Sequence, residues 1–221
     1  GVSRRFDIDH LVVLVPDISK VEAALGAAGF RVTPVSRHSD AMGTANVCVM
    51  LGNSYLEFMG IVADTEANAG WRALLAEGPG VRGVAFASRD IDVTESDLAA
   101  RGIAGEPVRQ FTRATPDGDL RFSVIRIPRG TTPGLQCLYC QQHTADLLWQ
   151  PHLLQHSNGA RRLAAASLRG VEALAPFASD GPDAVALEDG PSAIGVTDLR
   201  MPPPAALGAL RAAAGIELYR I

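Results

Sequence analysis

A histidine heads one of the most apolar stretches of this chain. In DHLVVLVPD, residues 9–17, His10 is followed by five apolar residues and a Pro-Asp stop. At the mouth of a pocket such a ring serves as a ligand or an acid–base group. Inside a core it needs only hydrogen-bond partners for its two nitrogens. A second concentration of chemistry lies in RHSDAMGTAN, residues 37–46. Arg37 could meet a carboxylate or phosphate there, and His38 or Asn46 could hydrogen-bond a substrate oxygen. Loops of this kind, held by a sheet, often carry binding groups. Trp149, in LLWQPH, could close a cavity as an aromatic wall or cover a sheet edge.

Other motifs fail on geometry. Cys137 and Cys140 spell CxxC, but residues i and i+3 of a strand point to opposite faces. Only Cys48 remains, so a four-thiolate zinc site is excluded and buried apolar cysteines are expected. His152 and His156 have HExxH spacing, with Leu153 where the general base should stand. His156 is expected to hold the HSNGA turn. Ser54 has no nucleophile elbow around it, and no Gly-rich phosphate loop is present.

The elements that would position these residues come as a repeat. Shifted by 73 positions, HLVVLVPDISKVEAALGAAGFRVTP lies on GVAFASRDIDVTESDLAARGIAGEP without a gap, with Asp17 on Asp90 and Gly29 on Gly102. Each copy reads as an apolar strand, a capping Asp, a helix of about ten residues and a glycine stop. Further strands follow: FRVTP, ANVCVML and SYLEFMGIV in the first copy, GEPVRQF, LRFSVIRI and GLQCLYCQQ in the second. Phe6–Val15 is expected as one strand equivalent to Val81–Ser88. The spacing predicts an α+β chain of paired βαβββ modules. The modules span residues 1–65 and 66–157, the second including a linker helix around WRALLAEG. A partial third α/β unit, 158–221, is appended.

A net charge of −4 over 221 residues, with 47% hydrophobic and 20% charged, argues against nucleic-acid or anionic-membrane partners. No apolar run approaches the ~20 residues of a membrane span, and GVSRRFDIDH has no signal-peptide core. Three cysteines make no disulfide framework, so a reducing cytoplasm is the default. The partner expected is a small molecule, with a homodimer as an open alternative.

A duplicated βαβββ unit opening on DHLVVLVPD resembles the vicinal oxygen chelate superfamily, the glyoxalase and extradiol dioxygenase group. More narrowly, DHLVVLVPDI, RHSDAMGTANVCVMLGNSYLEFMG, LRFSVIRI and HSNGA resemble the glyoxalase-like domain family. The resemblance implies two sheets curled around a shared cavity, with metal ligands on the first and last strands of each module. His10 and Glu57 match the ligands of module one; Glu57 shares a strand face with Tyr55 and Met59. One imidazole and one carboxylate suit Zn²⁺, Mn²⁺ or Fe²⁺. Module two departs from this pattern. His10 falls on Gly83, and its last strand offers only Gln136, Gln141, Gln142 or His143. His143 or His156 could complete a three-ligand metal site. Small residues at Gly83, Ala85 and Ala87 leave either ligand volume or room for tight packing. Two functions follow. One is a lyase, isomerase or dioxygenase in which Glu57 and His38 act catalytically and Arg37, Asn46 and Trp149 bind substrate. The alternative is a protein that binds or sequesters a small molecule without chemistry.

Overall fold

The computed structural model describes residues 3–221. Its centre is an eight-stranded sheet made by two copies of one unit. Module one supplies β2 (Ile8–Leu14), α1 (Ile18–Ala27), β3 (Ser36–Arg37), β4 (Thr44–Met50) and β5 (Tyr55–Ile61). After the linker helix α2 (Ala69–Leu75), module two supplies β6 (Gly80–Ala87), α3 (Ile91–Ala100), β7 (Arg109–Thr115), β8 (Gly118–Arg126) and β9 (Gln136–Gln142). The strand order is β3-β4-β5-β2-β6-β9-β8-β7, so the first strand of each module is central and parallel to its own last strand.

The repeat is visible bond by bond. Asp17 caps α1 by accepting from the amides of Ser19 and Lys20, and Asp90 caps α3 by accepting from those of Asp92 and Val93. Both helices end on a left-handed glycine, Gly29 at φ 89° and Gly102 at φ 69°. The next amide folds back identically, Phe30 to the Leu25 carbonyl and Ile103 to that of Leu98. β2 and β6 pair antiparallel with Leu11 opposite Val84. Those two residues are 73 positions apart, so the pseudo-twofold axis passes through that pair.

β2 is buried along its whole length because both of its faces are covered. Leu11 and Val13 belong to the main core, with Val47, Phe58, Val84, Phe86 and the inner faces of α1 and α3. His10 and Val12 face a trough on the other side. The main core continues into a second sheet of five strands, ordered β1-β11-β10-β12-β13. These are β1 (Arg4–Phe6), β10 (Leu163–Leu168), β11 (Val185–Asp189), β12 (Ala193–Val196) and β13 (Glu217–Arg220), with helix α5 (Pro204–Ala214).

Two strand expectations are corrected. Phe6–Val15 is not one strand: the chain breaks at Asp7, and β1 pairs with β11 of the C-terminal sheet. FRVTP forms no strand; the short β3 follows it, and Thr33 alone ties that stretch to Cys48. Cys137 lies in the main core and Cys140 on the trough face, and all three cysteines are free and buried. Among the described residues no helix is long and apolar enough to cross a membrane.

Candidate active site

The curled sheet encloses a cavity of about 320 Å³. That is near the lower end of the range of small-molecule sites, roughly 300–1,000 Å³. Strand alternation fills it. β5 presents Tyr55, Glu57 and Met59, β4 presents Asn46 and Cys48, and β2 presents His10.

Glu57 is the hub. Its Oε2 accepts from Asn46 Nδ2 at 2.9 Å and lies 3.8 Å from His38 Nε2, while its Oε1 lies 3.5 Å from His10 Nε2. A carboxylate only accepts, so the Asn46 amide must turn its NH₂ toward Glu57. The second hydrogen of that NH₂ reaches His38 Nε2 at 3.2 Å. His38 therefore accepts at Nε2 and donates from Nδ1 to Thr44 Oγ1, 2.6 Å away.

His10 is held differently. Its Nδ1 donates to Asp9 Oδ2 at 2.7 Å, and its ring stacks on Tyr55 with centroids 4.5 Å apart. Asp9 precedes His10 directly, and regular alternation would point it to the opposite face. A β-bulge intervenes. Ile8 pairs with Phe86 and His10 with Ala85, so Asp9 is the extra residue. A bulge re-aims a side chain, and here it brings the Asp9 carboxylate to the imidazole and to Gln142 Nε2, 3.1 Å away.

These contacts decide the charges. For His10, burial opposes protonation, but the Asp9 hydrogen bond and the Asp9 and Glu57 charges outweigh it and raise the pKa. For Glu57, burial favours the neutral acid. His10, His38, the Asn46 hydrogen bond and Arg113 outweigh that and lower the pKa. Burial lowers the His38 pKa despite Glu57. The shifts thus favour an ionised Glu57 and a neutral His38, and they favour retention of a proton on His10. Burial also raises the Cys48 and Cys140 thiols, so neither is a ready nucleophile.

The sequence-selected residues divide in two. The structure brings His10, His38, Asn46 and Glu57 together and sets Arg37 on the cavity lining. It does not bring His143, which is exposed and bonded to Ser123 through Nε2 at 2.7 Å. Ser123 is buried and alternates with Phe122 and Val124, which line the cavity. Trp149 stands behind Tyr55, with ring centroids 5.6 Å apart and its indole N–H donating to the Leu51 carbonyl. His156 accepts from the Arg31 amide and donates to the Met50 carbonyl, so both nitrogens serve the fold. Gln142 stood among four alternatives for a second-module ligand, and Asp9, Tyr55, Arg113 and Arg126 were not selected from the sequence. Of these, only Asp9 carried a usable signal, its place beside His10, and the bulge hid it.

The register settles what module two offers. Val12 pairs with Glu57, and its 73-residue counterpart Ala85 pairs with Leu138, so Leu138 stands where Glu57 does. By the same comparison Val124 stands for Asn46 and Arg126 for Cys48. At Gly83 a Cβ would lie 3.0 Å from Trp71 Cη2, from Val12 Cβ and from the Gln136 carbonyl. The small residue therefore makes room for the α2 indole rather than for a ligand.

A divalent metal finds few donors here. His10 Nε2 and Glu57 converge, but the His38 Nε2 lone pair is already used by Asn46, and module two supplies a glycine and a leucine. Among the described residues no group of three His, Cys, Asp or Glu is arranged to hold a metal ion. These donors do not fit a bound metal, and no step below is routed through one.

Comparison with known proteins agrees with this architecture. A hypothetical protein from Staphylococcus aureus superposes with a TM-score of 0.65 at 12% identity, over 86% of this chain and 90% of that one. A variant of methylmalonyl-CoA epimerase from Streptomyces coelicolor, in complex with 2-nitronate-propionyl-CoA, gives 0.46 at 21% identity, over 63% and 96%. A hypothetical protein from Bacillus halodurans C-125 gives 0.46 at 14%, over 61% and 92%. Of these, only the Staphylococcus aureus protein superposes well enough to bear on the fold, and at 12% identity it bears on nothing else. No curated protein matches the chain. Residues 8–179 match the family described as "Glyoxalase-like domain". With that match and its paired modules, the chain belongs to the glyoxalase-like domain family.

Proposed function

We propose that the protein is a small-molecule enzyme of lyase or isomerase type that moves a proton on a substrate held in the trough. The observation that carries this reading is the Glu57 carboxylate, part-buried on the cavity lining and favoured in its ionised form by His10 at 3.5 Å and Asn46 at 2.9 Å. A structural ion pair does not require an open cavity beside it, and this one has it.

The chemistry follows from the two protonation states. Glu57 is the base that takes a proton from a carbon next to a carbonyl. The His10 imidazolium, oriented by Asp9, gives its Nε2 proton to the carbonyl oxygen, and an enol results. Return of the Glu57 proton to the γ-carbon of a conjugated dienol, while the enol O–H gives its proton back to His10, completes an isomerisation; expulsion of a β-leaving group, which takes the proton held by Glu57 as the enol O–H reprotonates His10, completes an elimination. A downshifted carboxylate is a weak base, and the adjacent imidazolium offsets this by stabilising the developing oxyanion. His38 stays neutral and fixes Asn46. Arg37 at the rim and Asn46 are the polar contacts for the substrate.

Exchange in D₂O tests this without knowledge of the physiological substrate. Carbonyl compounds with an acidic C–H are incubated with protein, and deuterium incorporation is followed by NMR. The expected result is exchange on at least one compound, slowed roughly 10²- to 10⁴-fold by Glu57→Gln while the variant still binds that compound. Equal exchange rates for both proteins would remove Glu57 from the chemistry. Binding with no exchange across the panel would favour sequestration, the reading to which the apolar module-two wall lends itself.

A further inference from the structure

The cavity lining carries three guanidinium groups, Arg37, Arg113 and Arg126, against a single carboxylate, Glu57. Glu57 is already matched by His10 and Asn46. Among the described residues none of the three arginine side chains makes a hydrogen bond or an ion pair. Elsewhere Arg72 pairs with Asp64, Arg101 with Asp97 and Arg161 with Asp198, while the arginines without such a partner include the exposed Arg89 and Arg169. A chain of net charge −4 has thus placed unpaired positive charge around this cavity.

Arg126 is the most telling of the three. It is half-buried on β8, opposite Leu138 in the register, and its neighbours along the lining are Val124 and Gln136. Burial is the main influence opposing its charge, followed by Arg109; the nearby acid Glu106 favours that charge but approaches Arg109 instead, at 4.0 Å. Arg113 is felt at Glu57, His10 and His38, so it lies toward the reactive end. A guanidinium left half-buried beside Val124 and Leu138 without an acceptor is costly to keep unless something supplies one.

We propose that Arg126 anchors the anionic head of the substrate, which is a small organic acid with an apolar body. The carboxylate or phosphate of that acid takes the guanidinium, since a planar fork of N–H donors suits either. The apolar body lies against Leu138, Val124 and Phe122 of module two, and the reacting carbon reaches His10 and Glu57 of module one. The loss of polar residues from module two is then a specificity device: it provides the greasy wall for the body and one charge for the head. The proposal rests on the reading of His10 and Glu57 as the reactive end, and its test reads binding alone.

The probes are 3-phenylpropanoate, its neutral amide 3-phenylpropanamide, and phenyl phosphate, titrated calorimetrically into wild type, Arg126→Met and Glu57→Gln. Wild type should bind at least one anion roughly tenfold or more tighter than the amide, and added salt should weaken it. Arg126→Met should remove that preference and leave amide binding unchanged. Whichever anion binds better identifies the head as carboxylate or phosphate. Equal binding of amide and anions by wild type overturns the proposal, as does an anion preference that survives in Arg126→Met. Glu57→Gln should keep the preference while losing exchange chemistry, so failure of the catalytic reading and failure of the anchor show in different proteins.

Discussion

At the scale of single residues, partners and burial push the two imidazoles beside Glu57 in opposite directions. Asp9 and Glu57 raise the His10 pKa above its ordinary 6.5; the shifts of Glu57 and His38 run downward. The acid–base reading needs Glu57 ionised and His10 protonated, so kcat/KM should follow a bell. Its acid limb should lie below 4.5, and its alkaline limb above 6.5. The linked stability has the same signs. The His10 contribution is present below its unfolded pKa and lost as pH rises through the folded one; the Glu57 contribution is present above its unfolded pKa and lost as pH falls. Replacing Asp9→Asn should move the alkaline limb down, and an NMR titration of the His10 ring should show the matching fall in pKa. An unmoved titration would mean that Asp9 does not hold the ring. His10, Glu57, His38 and Asn46 were legible from strand alternation and from the family resemblance. Asp9 was not, because alternation fails at a bulge. Arg126 was not either: a lone arginine in LRFSVIRI says nothing until the register sets it on the trough face.

At the scale of elements, most of the fold was legible because capping and glycine stops repeat at a fixed shift. The helices and central strands follow from that local chemistry. What escaped was tertiary. A Pro two residues before Ser36 and the single tie from Thr33 leave FRVTP outside the sheet, although its composition suits a strand. The packing of α2 on Gly83 was equally invisible, since Trp71 meets it only in space. Gly83→Val should cost about 1–3 kcal/mol by overpacking against Trp71, Val12 and the Gln136 carbonyl. Adding Trp71→Ala should recover part of that loss, and a double-mutant cycle of denaturation midpoints would measure the coupling. Additive effects would mean that the indole does not occupy the space the glycine leaves.

At the scale of the whole molecule, the paired modules and the C-terminal unit share one core. Leu11, Phe58 and Val84 lie in the same cluster as Leu168, Leu174, Phe177 and Leu187. A chain cut after residue 157 should therefore fail to give a cooperative thermal transition, whereas an independent appendage would leave one intact. Composition could not reveal this, because a run such as LAAASL is apolar whether it covers its own core or a neighbour's. The first strand has a consequence of another kind. Arg4 pairs with Leu187, 183 positions further along the chain. During synthesis β1 has no partner until β11 has emerged, although β2, only two positions on, can pair far sooner. Closing so long a loop is entropically slow to begin. Pulse-labelled hydrogen exchange during refolding should find the β1 and β11 amides protected last, after those of β2 and β5. The N-terminal strand is thus the final stitch, and an emerging chain carries an apolar Phe6 unshielded until that stitch is made.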